Sequence, residues 1–283
     1  MKHFFIITNQ SKDVNLQVTQ YVRSFLEKHG KKCDVASYKG NADREGTLDA
    51  KEYICTIPDG VDCCIVLGGD GTMLQASHNV LGRDIPVLGV NLGTLGYLAE
   101  VEKSGLDEAL AQLLAQKYTI EKRMMLAGEI HGRIRDDALN DIVIARKATL
   151  QVISFNIYVN DLYLNNYHAD GMIISTPTGS TGYNMSAGGP IVEPGAQMIL
   201  LTPICPHTLT TRSIVLSAED RITVEIAAGR DDASLQAEAS FDGRNGFEMR
   251  TGDRIVITRS AQTTKILKLN QVSFLEVLHR KLI

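Results

Sequence analysis

The chain has 283 residues, 44% of them hydrophobic and 22% charged, with a formal net charge of −4 and no basic run. That describes one or two globular domains with ample core, and it excludes a nucleic-acid binder driven by phosphate neutralisation. No run reaches the roughly 18–20 apolar residues of a membrane span, and MKHFFIITNQ is too short in its apolar part for a secretory leader, so a cytoplasmic protein without membrane contact is expected.

Strand and helix signals alternate over the first part of the chain. His3–Thr8 reads as a strand. Val14, Val18, Tyr21, Val22, Phe25 and Leu26 then mark one apolar helix face, which Gly30 is placed to end. Lys32–Ser37, Cys63–Leu67 and Pro86–Val90 read as further strands, with a polar connection over Lys39–Asp59. Leu106, Leu110, Leu113 and Leu114 define another amphipathic helix, with Ser104 as its cap. This alternation predicts a parallel sheet with helices on its faces.

After residue 117 the grammar changes. Residues 152–159 alternate, Asn160-Asp161 reads as a turn, and Ile214–Leu216, Ile222–Ile226, Ile255–Thr258 and Ile266–Leu269 are short strands of an antiparallel domain. The chain closes on a helical signal, SFLEVLHRKL. The expected organisation is an α/β domain with a Rossmann-like parallel sheet over 1–117 plus 270–283, and an all-β, sandwich-like domain over 118–269. The five cysteines include the adjacent Cys63 and Cys64 and form no C-x-x-C pair. They read as buried thiols in a reducing compartment, and no His/Cys spacing suits a metal.

Two segments carry chemistry. At the end of an apolar strand stands GGDGT, residues 68–72, before a helix expected to begin near Thr72 or Met73. Glycines let backbone N–H groups face an anion, and a helix N-terminus favours one. Gly68, Gly69, Gly71 and Thr72 therefore suit a phosphate. Asp70 does not, unless a divalent cation or a proton transfer accounts for it. An isolated D-G pair is more often a solvated turn. No GxxxxGK[S/T] occurs, so a Walker lysine is absent. The second segment, HADGMIISTPTGSTGYNMSAGGPIV at 168–192, crowds hydroxyls and glycines around Tyr183. It suits a ribose, a pyrophosphate and a base, or else a loop whose Ser and Thr cap their own backbone.

GGDGT, NLGTLGYL at 91–98, Arg123-Met124, LND at 139–141, DGMIISTPTGSTGYNMSAGGPIV, PICPH at 203–207 and FDG at 241–243 occur in one order over nearly the whole chain. In that order the chain resembles the NAD kinases. GGDGT alone is shared with lipid kinases. The 175–192 segment is far more specific.

The resemblance implies transfer of the γ-phosphoryl group of ATP, or of polyphosphate, to the 2′-hydroxyl of the adenosine ribose of NAD, with a divalent cation, Mg²⁺ or Mn²⁺. Asp70 matches the catalytic aspartate, and Gly71 stands beside it. Asn140 and Asp141 match the adenine- and ribose-side pair, usually Asn-Glu. Asp170 matches an aspartate that reaches the nicotinamide end from a neighbouring subunit of a homodimer or homotetramer. Thr181, Gly182, Tyr183, Asn184, Met185 and Ser186 match the NAD-binding loop, where Ala often replaces Gly182. Tyr97 and Cys205 fit pocket positions, and His168 stands where arginine is common. The rivals are a lipid kinase, which needs an apolar slot, and a non-catalytic dinucleotide sensor, which has no use for Asp70.

Overall fold

The computed structural model describes residues 1–38, 55–93, 96–132, 134–147, 152–208, 212–229, 235–244, 246–269 and 273–282. The expected polar connection lies largely outside them, over 39–54, as do Thr94 and Leu95 of the NLGTLGYL segment. The chain forms two compact units, Met1–Lys122 with Thr264–Ile283, and Arg123–Thr263.

In the first unit, β1 (His3–Asn9), β2 (Lys32–Tyr38), β3 (Cys63–Gly68) and β4 (Val87–Asn91) are parallel in the order β2-β1-β3-β4, and β5 (Val101–Glu102) is a short parallel neighbour of β4. Helices α1 (Gln17–Lys28) and α3 (Leu106–Leu114) bury Val22, Leu26, Leu106 and Leu110 with Phe4, Ile6 and Leu67. Helix α2 (Asp70–Asn79) buries Met73 and Ala76 with Phe5, Ile7 and Val66. Alternate residues of one strand thus enter two different cores. A sheet covered on both faces needs apolar side chains at every position, which is why these strands read as unbroken apolar runs.

Two expectations are corrected here. Helix α1 starts only at Gln17, behind a 3-10 turn over Val14–Leu16, so Val14 is 67% exposed and off the core face. The buried carboxylate of Asp13 makes that start possible, accepting the N–H groups of Val18 and Thr19 and the Thr19 hydroxyl, at 2.6–2.9 Å. Ser104 does not cap α3. It lies in a 3-10 turn, Lys103–Gly105, and Gly105 is the residue before the helix, with no side-chain cap. Gly30, at φ +71°, does follow the end of α1.

The second unit is antiparallel. Strand β6 (Thr119–Ile130) pairs with β7 (Ile134–Ala138). The others are β8 (Asp141–Arg146), β9 (Ile153–Val159), β10 (Leu162–Ala169), β11 (Gly171–Ser175), β12 (Met198–Ile204), β13 (Ile214–Ser217), β14 (Ile222–Ile226), β15 (Gln236–Phe241), β16 (Phe247–Arg250) and β17 (Arg254–Lys268). One sheet runs β13-β12-β11-β8-β15-β16, while β10, β9, β14 and the first part of β17 form a second ladder. Both contribute to one core: Ile142, Ile144, Met172, Ile174 and Phe241 from the first, Phe155, Ile157, Val224 and Ile257 from the second. Asn160 and Asp161 turn the β9–β10 hairpin with both φ positive, as a two-residue hairpin of matching twist requires.

The two strands expected at 255–258 and 266–269 are one, β17. Its middle reads as a break because Arg259, Ala261, Gln262 and Thr263 face solvent. Beyond Thr263 it belongs to the first unit, where Ile266 pairs parallel with Val87 of β4. Helix α5 (Phe274–Leu282) follows. A short helix, α4 (Tyr183–Ser186), sits in the hydroxyl-rich segment behind a 3-10 turn over Thr178–Thr181.

Candidate active site

In the first unit the glycine segment bridges β3 and α2. Gly68 closes the strand, Gly69 is extended at φ −129°, and α2 begins at Asp70, two or three residues earlier than expected. A Cβ on Gly68 would overlap the Thr72 side chain, so strand and helix meet this closely only because that position has none. Thr72 is buried, and its hydroxyl accepts from Tyr38 at 2.7 Å. Thr72 is thus a brace inside the loop. The first-turn amides of Asp70 and Gly71 have no intrahelical acceptor, and at a helix N-terminus such groups suit an external anion.

The Asp70 carboxylate is fixed from outside its own helix. Its Oδ2 accepts the Tyr97 N–H at 2.8 Å and its Oδ1 the Leu98 N–H at 3.1 Å. A Cβ on Gly96 would overlap that carboxylate. Each carboxylate oxygen has a second lone pair, so Asp70 can still take a hydroxyl proton. The Tyr97 ring carries the Lys281 ammonium of α5 over its face, 4.1 Å from the centroid. Burial and the Asp70 charge push its phenol above the usual range.

In the second unit the LND turn is held by FDG. The Asp242 carboxylate accepts the backbone N–H groups of Leu139 and Asn140 at 2.7 Å and of Asp141 at 3.1 Å. Asp242 sits at φ +52° to do so. Burial, reinforced by the Asp242 charge, raises the Asp141 carboxyl to about 7. Beside this turn, Gly182 approaches closely. A Cβ there would stand 3.5 Å from Asn140 Nδ2, 3.9 Å from Asp141 Oδ2 and a tight 3.2 Å from the Gly179 carbonyl. The buried Asn140 Oδ1 accepts no hydrogen bond from any described residue.

Most hydroxyls of the 175–186 segment are engaged internally. Ser175 and Thr176 donate to the carbonyls of Asn140 and Leu139, and Ser180 donates to that of Val192. Asn184 is wholly buried. Its amide donates to the Ser180 and Pro190 carbonyls, and its Oδ1 accepts from Thr202 at 2.7 Å. Tyr183 and Ser186 are exposed, and Thr181 and Met185 half-buried.

Two profiles of one family match this sequence: "ATP-NAD kinase N-terminal domain" over residues 4–118 and "ATP-NAD kinase C-terminal domain" over 139–269. An NAD kinase of Agathobacter rectalis is 48% identical over 284 residues, spanning 100% of this chain and 99% of that one. One from Lachnospira eligens is 45% identical over 296 residues, spanning all of both chains. The chain belongs to the NAD kinase family. The fold is shared with yeast NADH kinase complexed with NADH, at TM-score 0.85 and 21% identity, covering 100% of this chain and 87% of that one. It is shared likewise with an NAD kinase from Archaeoglobus fulgidus in complex with ATP, at TM-score 0.76 and 23% identity, covering 98% of each.

In this NAD kinase chain the family motifs fall into two local groups. Gly68, Gly69, Asp70, Gly71, Thr72 and Tyr97 gather around the start of α2. Asn140, Asp141 and Gly182 meet under Asp242, with Thr181 and the 183–186 turn continuing from Gly182. Asp170 lies between β10 and β11 and faces Arg146, with Nη2 at 3.4 Å from Oδ2. Cys205 is exposed after β12 at φ +45°. His168 lies in β10. Its Nδ1 lies 2.8 Å from Ser154 Oγ, and with His207 and Ser154 it lines a cavity of about 610 Å³ in the second unit. Sequence reading did not foresee Asp242 as the clamp of the LND turn. The signal was there in FDG, but its partner lies a hundred residues upstream. No helix among the described residues is long and apolar enough to cross a membrane.

Proposed function

We propose that the chain transfers the γ-phosphoryl group of ATP to the 2′-hydroxyl of the adenosine ribose of NAD, giving NADP and ADP, with Asp70 accepting the hydroxyl proton. The observation that carries this reading is the Asp70 carboxylate. It opens α2 behind two glycines and is held by the Tyr97 and Leu98 amides, so it has one orientation. Phosphoryl transfer asks for alignment and charge neutralisation more than covalent participation. The amides at the start of α2 receive donor phosphate oxygens, and Asp70 takes the proton as the hydroxyl attacks.

The NAD-binding loops are assigned to 118–269, and the donor-phosphate loop to 1–117 with 270–283. Asn140 and Asp141 bind the adenosine end. Tyr97, Tyr183 and the exposed parts of 181–186 line the dinucleotide, and Cys205 and His168 its margins. Asn184 acts through its neighbours, since its own polar atoms are already bonded. Asp170 serves the nicotinamide end across a subunit interface of a homo-oligomer. Among the described residues no cluster of three His, Cys, Asp or Glu could hold a metal ion. Backbone amides suit phosphate and not a cation, so Mg²⁺ or Mn²⁺ fits as the counter-ion of the donor phosphates, supplying charge neutralisation there.

The test mixes pure protein, Mg²⁺, ATP and NAD and detects NADP with an NADP-specific dehydrogenase. NADP should form, and Asp70→Asn should lower kcat by at least about 10²-fold while calorimetry still shows NAD binding. Near-normal turnover in that variant would remove Asp70 from the role. NADP formed with polyphosphate but not with ATP would reassign the donor. Failure with both would remove the kinase reading.

A further inference from the structure

The missing Walker lysine raises an electrostatic question. A loop that binds a triphosphate through amides alone leaves most of the charge to a counter-ion. A cationic side chain beside the loop answers it. Lys12 stands in the turn after β1, its N–H bonded to the Asn9 carbonyl at 3.0 Å. Its ammonium lies against the glycine backbones at the ends of two neighbouring parallel strands. A Cβ on Gly69 would be 2.6 Å from Lys12 Nζ, and one on Gly93 would be 3.6 Å from it. Strands β1, β3 and β4 are adjacent, so this is the carboxyl edge of the sheet, where ligands of such sheets bind.

The ammonium is badly placed for anything except an anion. It sits beside the positive end of α2, where a cation is unfavourable. No described carboxylate pairs with it. The adjacent Asp13 is turned away and bonded to α1. An anion between Lys12 and the first turn of α2 would satisfy both positive groups at once. We propose that Lys12 is a donor-phosphate ligand of this enzyme, supplying from the β1 turn the charge that other phosphate loops place within the loop itself. This rests on the kinase reading above for the identity of the donor.

The experiment measures Lys12→Ala and Lys12→Arg by steady-state kinetics and by calorimetry with ATP. Removing a charge-assisted hydrogen bond to a phosphate should raise the ATP KM about 10- to 100-fold, or lower kcat/KM for ATP by as much, in Lys12→Ala. The NAD KM and the thermal midpoint should be unchanged, and Lys12→Arg should restore most of the effect. A KM for ATP within twofold of wild type overturns the proposal. So does a parallel rise in both KM values with a lowered midpoint, which is a structural effect. If wild-type protein makes no NADP at all, the kinase reading fails separately, and calorimetry still decides Lys12. Weaker ATP binding in Lys12→Ala supports the ligand role. Equal binding, or none to wild type, ends it.

Discussion

Asp70 and Asp141 are both acids of the candidate site, yet their surroundings set them different tasks. Asp70 is held in one orientation by two amides and a glycine. Gly96→Ala should therefore act on Asp70 without touching it. The new Cβ overlaps the carboxylate, so kcat should fall at least about tenfold with a near-native fold by circular dichroism. Asp141 is buried beside Asp242, and its carboxyl is raised to about 7. An acid with a folded pKa above its unfolded value favours folding at low pH and withdraws that support as pH rises towards the folded pKa. Stability should thus decline between about pH 4 and 7. Asp141→Asn removes the ionisation, so its melting temperature relative to wild type should be more favourable at pH 8 than at pH 5. A pH-independent difference between the two melting curves would contradict this. Residue types were legible in the sequence, and so was GGDGT as a glycine turn from a strand into a helix. The partners were not: Asp70 with Leu98, or Asp242 with Leu139, are tertiary facts that no local pattern encodes.

Elements were legible where one physical rule dominated. The unbroken apolar runs of β1, β3 and β4 followed from burial on both faces, and the α3 stripe from burial on one. They were misread where a tertiary contact overruled local pattern. Exposed residues 259 and 261–263, three of them polar, hid the continuity of β17 because they face solvent while the backbone keeps its strand. Val14 looked like part of a helix face because the sequence does not show Asp13 capping from four residues before Gln17. That cap makes a prediction. Asp13→Ala leaves two amides and a hydroxyl of α1 unsatisfied in a buried place, so it should cost about 2 kcal/mol. Urea unfolding would show this as a lowered midpoint at unchanged m. A midpoint equal to wild type would mean that water replaces the carboxylate.

For the whole molecule, the change of grammar after residue 117 announced two architectures, one parallel and one antiparallel, and both are present. Subunit association is a further proposal, and it rests on the role assigned to Asp170. If that residue serves a neighbouring active site, specific activity should fall steeply as the protein is diluted to monomer, followed by assay against analytical ultracentrifugation. Constant specific activity in a monomer would confine Asp170 to its own chain and its Arg146 contact. The route of the chain adds one more thing. The parallel sheet begins with residues 3–9, yet one of its pairings, Val87 of β4 with Ile266, waits for residue 266, and Lys281 reaches Tyr97 later still. During synthesis the glycine loop is made early, whereas residue 266, which pairs with Val87 of β4, emerges long after it. A nascent or truncated chain therefore has the loop without its completed sheet, and a ribosome-bound fragment ending before residue 264 should show no kinase activity.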